Sequence, residues 1–332
     1  MMTTTTSPSN LIRRALRRAL LAVAVLGVAT GAQGAYPDKP VRLVVPYPAG
    51  GGADTIARTL GKELSERWQR PVIIDNRPGA SGITGGNAVA RAKPDGLTLL
   101  LGITAMAQLP ALYANLPFDV RKDFEPISEI ARSQDFLVVP NRFGISSLEQ
   151  FLARMKAEPG EHSYGSYGTG TSSHIHGEML RKQAGLDLVH VPYRGAAPLI
   201  TDVLGERLTL GVVDTGSVRS HLNTGRFEVL AVTGAERSPL LPETPTLTEL
   251  GYRDYEPYGW YALFAPAGVP TAILDELSEA VQTIVAQDNV QDILHGLGLR
   301  PVGNSRSEFA KIYDADVGTW TRVIEDTGIR LE

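Results

Sequence analysis

Apolar positions follow two rhythms that alternate along the chain. Residues 41–46 form a short, mostly apolar run, followed by the glycine loop PAGGG (48–52). Ile56, Ala57, Leu60, Leu64 and Trp68 then recur at spacings of three and four, with charges between them. The first pattern predicts a buried strand and the second an amphipathic helix. Residues 71–75 read as another strand, 83–91 as a helix, and LTLLLG (97–102) as a strand buried on both faces. Strand, loop and helix thus repeat three times, which predicts a parallel sheet with helices on both faces.

The pattern changes at FEPISEIARSQDFLVVP (124–140), which reads as one long extended segment. The alternation then restarts. Strands are expected at HSYGSY, LDLVHV, LTLGVV and FEVLAVT, and helices after GTGTSS, YRGAAP and DTGSV. Residues 237–257 are proline-rich and read as extended, YGWYALFAP (258–266) as a strand, and 270–297 and 307–327 as two long helices. Two α/β units with one extended segment leading out and another leading back imply an α/β fold of two lobes. Each lobe is a central sheet flanked by helices, as in periplasmic binding proteins, and two crossing strands join them. The expected division is 36–134 plus 258–332 for the first lobe and 135–257 for the second. Ligands in such sheets sit beyond the carboxyl ends of the strands, so the glycine- and hydroxyl-rich loops of both lobes would line one cleft. Hinge motion at the crossings would close it.

The first 35 residues stand apart. Arg13, Arg14, Arg17 and Arg18 precede the apolar run ALLAVAVLGVATGA and a stretch of small residues. Basic region, apolar region and small-residue end make a cleavable export signal. The run is short for a membrane span, and the paired arginines also suit a twin-arginine route. Removing this segment takes away four arginines and no acid, so the net charge moves from −4 to −8. A mature chain this acidic, with no basic stripe, is a poor partner for nucleic acid. Cysteine is absent, which excludes disulfides, thiolate nucleophiles and cysteine-ligated metals. The product is expected in the periplasm, where nucleotides are scarce.

That location bears on the opening loop. PAGGG lacks the Lys and Ser/Thr of a phosphate loop and the spacing of a dinucleotide site. Its backbone N–H groups at a helix start still suit a small anion such as a carboxylate. Asp54 reads as the helix N-cap. In the second loop, NRPGASGITGG, Ser81 offers a hydroxyl, and Arg77 is expected to pair with Asp75. Thr104 stands in the third loop. In the second lobe Thr169, Thr171 and Ser172 precede a helix. Asp214 ends a strand, as either a cap or a ligand contact. His174 and His176 resemble a metal pair, but positions two apart on a helix point about 200° apart, and no HExxH follows. No cofactor or metal is expected. G-x-S-x-G is absent as well, so capture is favoured over catalysis; an exported hydrolase or a sensory receptor are the rival classes.

Several long stretches carry a family resemblance. YPDKPVRLVVPYPAGGGADTIAR, DNRPGASGITGGNAVARAKPDGLTLLLG, LPFDVRKDFEPIS, LVHVPYRGAAPLITDVLGERL, LAVTGAERSPLLPETPTLTELG and WYALFAPAGVP resemble the substrate-binding proteins of tripartite tricarboxylate transporters, the TctC or Bug family. The resemblance runs in order over residues 36–332. It implies a periplasmic two-lobed binding protein, acting as a monomer. Its ligand would be a small carboxylate: a dicarboxylate, tricarboxylate, acidic amino acid or aromatic acid. Its partners would be the large and small membrane subunits of a transporter. Carried onto this chain, the first-lobe contacts would be Tyr47, Ala49, Gly50, Ser81 and Thr104, and the second-lobe contacts Gly168, Thr169, Thr171 and Asp214. One departure is YGSYG where the family reads like YASSG. It places the ring of Tyr167 near the cleft, either to stack on a ligand or to shrink the pocket.

Overall fold

The computed structural model describes residues 36–331; the export signal expected in residues 1–35 lies outside them. A first unit of the chain ends at Asp38, and the fold below belongs to the unit that begins at Lys39.

The chain runs β1 (Val41–Val45), α1 (Gly52–Trp68), β2 (Val72–Asn76), α2 (Ile83–Ala90), β3 (Thr98–Ile103), α3 (Ala105–Leu112) and β4 (Phe124–Ser133). It continues through β5 (Asp135–Pro140), α4 (Leu148–Ala157), β6 (His162–Ser166), α5 (Ser172–Ala184), β7 (Leu188–Pro192), α6 (Ala196–Leu204), β8 (Leu210–Asp214), α7 (Thr215–His221) and β9 (Phe227–Val232). The last elements are β10 (Gly259–Pro266), α8 (Thr271–Val285), α9 (Asp288–Gly296), β11 (Arg300–Pro301) and α10 (Arg306–Thr327).

Two sheets result. One has the order β11-β4-β10-β3-β1-β2 and the other β7-β6-β8-β5-β9. The expected parallel pairing holds for β2-β1-β3 and for β7-β6-β8. Both sheets are nonetheless mixed. β10 runs antiparallel to β3 and β4, and β5 antiparallel to β8 and β9. The cause is topological. β5 and β10 are the strands by which the chain enters each lobe, and entry is from the cleft side, so they run away from the cleft while the parallel strands run towards it. The long extended segment at 124–140 is therefore two strands in different sheets, broken at Gln134.

Other expectations need correction. The helix expected over 270–297 breaks between Val285 and Asp288, where Gln287 takes extended backbone as the N-cap of α9. Residues 237–257 form turns, with one bridge between Val232 and Thr246. Two helices went unread: α3, and α4, which Ser147 caps by accepting the Gln150 N–H.

The last helix ties the lobes together. Ser305 and Glu308 form a capping box at its start, which satisfies two otherwise orphaned N–H groups. Its buried face carries Phe309, Tyr313, Asp316, Val317, Trp320, Val323 and Ile324, spaced by three and four as a core-facing stripe requires. Near its start Phe309 and Tyr313 pack edge-on against Trp260 and Phe264 of β10, with ring centroids 5.1–5.9 Å apart. Three turns on, Trp320 meets His176 of α5, in the second lobe, at 5.5 Å. Each fully buried aromatic or aliphatic side chain contributes about 1.5–3 kcal/mol.

Asp316 sits within this stripe, 8% exposed, and accepts the Trp260 indole N–H at 2.8 Å. Burial pushes its carboxyl up to about 6; the Trp260 N–H and Arg132 oppose the shift and Glu129 adds to it. An acid whose native pKa exceeds its unfolded value loses stabilising effect as pH rises between the two, here from about 4 to about 6. Asp316→Asn keeps an acceptor for Trp260 and removes the titration. The variant should gain on the wild type by about 2 kcal/mol between pH 4 and pH 7 in urea unfolding; a difference that stays constant over that range would sink the assignment.

Candidate functional site

The carboxyl ends of both sets of parallel strands open onto one cavity of about 490 Å³ between the lobes, within the range of small-molecule sites. β1 delivers Tyr47 and the first residue of α1, Gly52, and β3 delivers Ile103, Thr104 and Ala105. From the second lobe come Tyr167 and residues 169–172 after β6, Gly195 and Ala196 after β7, and Asp214, Thr215 and Gly216 at the end of β8. The crossings add Ser133, Gln134 and Asp135 on one side and Gly259, Trp260 and Tyr261 on the other.

Four helices of eight residues or more start on this cavity. Gly52 of α1, Ala105 of α3, Ser172 of α5 and Ala196 of α6 are their first residues, and each lines it. A helix start presents unpaired N–H groups and about half a positive charge. No Lys, Arg or His is among the lining residues. What can draw an anion into the cavity is therefore backbone.

Side-chain donors add to it. Burial holds the phenols of Tyr47 and Tyr167 well above the ordinary tyrosine range, with Tyr261 reinforcing the first and Asp135 the second. Tyr261 is pushed up to about 12, by burial and then by Asp214 and Asp135. All three stay protonated and can donate. Ser81 stands in left-handed backbone (φ 54°) and shares a 3.0 Å hydrogen bond with the Tyr113 hydroxyl. The Thr104 hydroxyl accepts the Trp260 N–H at 2.7 Å, which locks the start of α3 to the returning strand.

Two carboxylates stand on the second-lobe side. Asp135 and Asp214 are direct partners in the β5–β8 register. Asp214 is the N-cap of α7, accepting the Ser217 N–H and hydroxyl at 2.9 Å each. Asp135 is 5% exposed. It accepts the Tyr167 hydroxyl at 3.1 Å and faces His176 Nδ1 at 2.9 Å. His176 Nε2 is buried without a partner, so the geometry puts the ring hydrogen on Nδ1, donating to Asp135. The Tyr167 ring is thus pinned across the cavity wall by its own hydroxyl.

Among the residues singled out from sequence, Tyr47, Ser81, Thr104, Thr169, Thr171 and Asp214 come together on the cavity. Ala49, Gly50 and Gly168 do not line it. Ala49 and Gly50 are exposed on the outer part of their loop, and the Gly50 N–H is already donated to Asp54 at 2.9 Å. Gly168 turns inward, its carbonyl accepting the Thr171 hydroxyl at 2.6 Å. Asp54 is not the N-cap of α1; Gly51 is, and Asp54 reaches back from the third helical position. Hydrogen bonds from Arg58, Gly50 and Asn76 hold its carboxyl down at about 2 despite burial. Arg77 pairs with Asp75 at 2.8 Å, as expected. Sequence reasoning missed Gln108, Asp135, Trp260 and Tyr261. A signal for Asp135 existed: Ser-Gln-Asp interrupts an apolar extended run, as a crossing between two sheets demands.

Comparison with known proteins agrees with this architecture. A family profile described as "Tripartite tricarboxylate transporter family receptor" (TctC) matches residues 56–329. A protein from the tcbD-tcbE intergenic region of Pseudomonas sp. (strain P51) is 32% identical over 313 residues, 94% of this chain and 93% of that one. The solved periplasmic binding protein BugD shares 30% identity at a TM-score of 0.75, covering 89% of this chain and all of its own. The R. palustris protein Rpa4515, solved with adipate, shares 31% identity at a TM-score of 0.77, again over 89% of this chain and all of its own. The chain belongs to the TctC family of tripartite tricarboxylate transporter receptors, periplasmic solute-binding proteins of two-lobed α/β fold.

Proposed function

We propose that this protein is exported by cleavage of a signal in residues 1–35, captures a small organic acid between its lobes, and delivers it unchanged to the large and small membrane subunits of a tripartite tricarboxylate-type transporter. The lobes would meet at 134/135 and 257/258 and close as the jaws of a monomer. The observation that carries the reading is the convergence of four helix starts on a cavity lined by no Lys, Arg or His. A carboxylate accepting backbone N–H bonds gains about 1.5–3 kcal/mol per bond, and each helix dipole adds about 0.3–1 kcal/mol. Two or three such bonds hold a small acid without an arginine. Adipate in the related Rpa4515 is a ligand of this chemistry. Ser81, Thr104 and Thr169, with Tyr47 and Tyr261, would direct hydroxyls at the ligand, Thr171 would line the space beside them, and Asp214 would set its polarity.

Thermal shift against mono-, di- and tricarboxylic and aromatic acids tests the reading. An acid present at 100 times its Kd should add about 2.7 kcal/mol of stability. If neutral or cationic compounds stabilise the protein and no acid does, capture of an organic acid is wrong.

The charge on Asp214 yields a second expectation. A ligand carboxylate about 8 Å away is repelled by about 2 kcal/mol at an effective dielectric of 20. Asparagine caps a helix as well as aspartate, so Asp214→Asn should keep the melting temperature and bind adipate about 30-fold more tightly by calorimetry. Unchanged or weaker binding would remove Asp214 from the ligand's surroundings.

A further inference from the structure

The second-lobe loop at 167–172 gives the cavity five of its lining residues, and its N–H groups are held more by side chains than by backbone. The Tyr167 N–H donates to the Ser173 hydroxyl at 3.3 Å and the Gly168 N–H to the Ser166 hydroxyl at 3.4 Å. The Gly170 N–H donates to His174 Nδ1 at 3.1 Å, in a buried position. Thr171 alone donates to a carbonyl, that of Gly168. Of the three side-chain acceptors, His174 is the one that titrates.

We propose that His174 is a positioning residue for the ligand-facing loop: its unprotonated Nδ1 accepts the Gly170 N–H and keeps the loop in its cavity-lining shape, and protonation of the ring releases it. The inference rests on the reading that this loop faces the ligand.

The surroundings make the bond hard to replace. Gly170 has φ +74°, and a Cβ there would lie 2.5 Å from Leu331 Cδ1 and 3.5 Å from Leu112 Cδ1. Methyl groups thus crowd the glycine on its Cα side. The imidazole is held flat against His190, with centroids 3.9 Å apart and planes 11° apart. His190 stacks in turn on Tyr164 at 4.9 Å and meets the Ser166 hydroxyl at 2.8 Å through Nε2. His174 therefore cannot swing to another partner without breaking a stack of three rings.

The same surroundings keep the ring neutral. Burial, and then His190 on β7, hold His174 down at about 4, against the pull of Glu178 one turn along α5. Glu178 is itself engaged by the Tyr164 hydroxyl of β6 at 2.7 Å and by Arg181 at 2.9 Å. Burial lowers His190 as well. In an opened loop His174 would regain an ordinary value near 6.5. Acidification from about 6.5 to about 4 then favours the open loop by about 80-fold. A protonated ring would set an N–H against the Gly170 N–H.

Ring-nitrogen NMR of the mature, ligand-free protein with 15N-labelled histidine tests this. Between pH 7.5 and 4, His174 Nδ1 should carry the shift of an unprotonated acceptor and titrate well below the ordinary histidine range. The Gly170 amide signal should move with the same midpoint. His174→Asn keeps an acceptor that does not titrate, so it should hold the Gly170 amide in place and abolish its pH step. His174→Leu should lose that amide's protection from exchange at pH 7.5 by tenfold or more. The proposal is overturned if Nδ1 is protonated at pH 7.5, if His174 titrates in the ordinary histidine range, or if His174→Leu leaves the Gly170 amide unchanged. No ligand takes part, so this result stands apart from whether the cavity captures an organic acid.

Discussion

A chain that builds two sheets and crosses between them twice must enter each sheet from the cleft. This constraint orders the rest of the molecule. The parallel strands β1-β3 and β6-β8 run towards the cavity, and each hands its chain to a helix that starts there. The entry strands β5 and β10 run the opposite way, so their first residues also stand at the cavity edge. Helix starts and crossing residues are thereby brought to one place by topology, before any particular side chain is chosen. An anion site follows with little further cost, because the partial charges of helix starts are fixed by the backbone itself.

The crossings also bind the cavity wall to the core. Trp260 faces the cavity, yet its indole N–H is held by Asp316 of the last helix. That helix packs under β10 at one end and reaches α5 at the other. The second lobe's loop sits between α5 and the C-terminal residues, with Leu331 against Gly170. Relative motion of the lobes must therefore work against a continuous apolar seam along the last helix. In the proposed closure, bending would fall to the short passages at Gln134 and before Gly259.

Much of this was legible in the sequence because burial writes itself into spacing. The apolar runs of β1 and β3 and the three-four rhythm of α1 and of the last helix needed only periodicity. The hydroxyls at Ser81, Thr104, Thr169 and Thr171 were found because they follow strands. What stayed hidden depends on direction and pairing. Periodicity cannot say that β10 runs antiparallel, nor that the extended run at 124–140 divides between two sheets, so Asp135 escaped notice. Ala49 and Gly50 looked like anion donors, but Asp54 takes the Gly50 N–H, a contact that spacing alone assigned to a cap. The break between α8 and α9 was missed because no Pro or Gly marks residues 285–288; the change of phase between Val281 and Val290 was the signal.

The aspartates give the cavity a direction. Backbone N–H groups surround the ligand space, whereas Asp135 and Asp214 are confined to the second-lobe side and are neighbours in register. Helix starts attract one carboxylate as well as another; only a charge fixed at one end of the space can tell the two ends of a ligand apart. Tyr167 strengthens the asymmetry by donating to Asp135, which leaves the face of its ring rather than its hydroxyl on the cavity. In the proposed capture, binding would be set by backbone that is indifferent to the acid's identity, and orientation by two carboxylates that are not. Selectivity among organic acids would follow from that imbalance more than from the number of hydrogen bonds the cavity can offer.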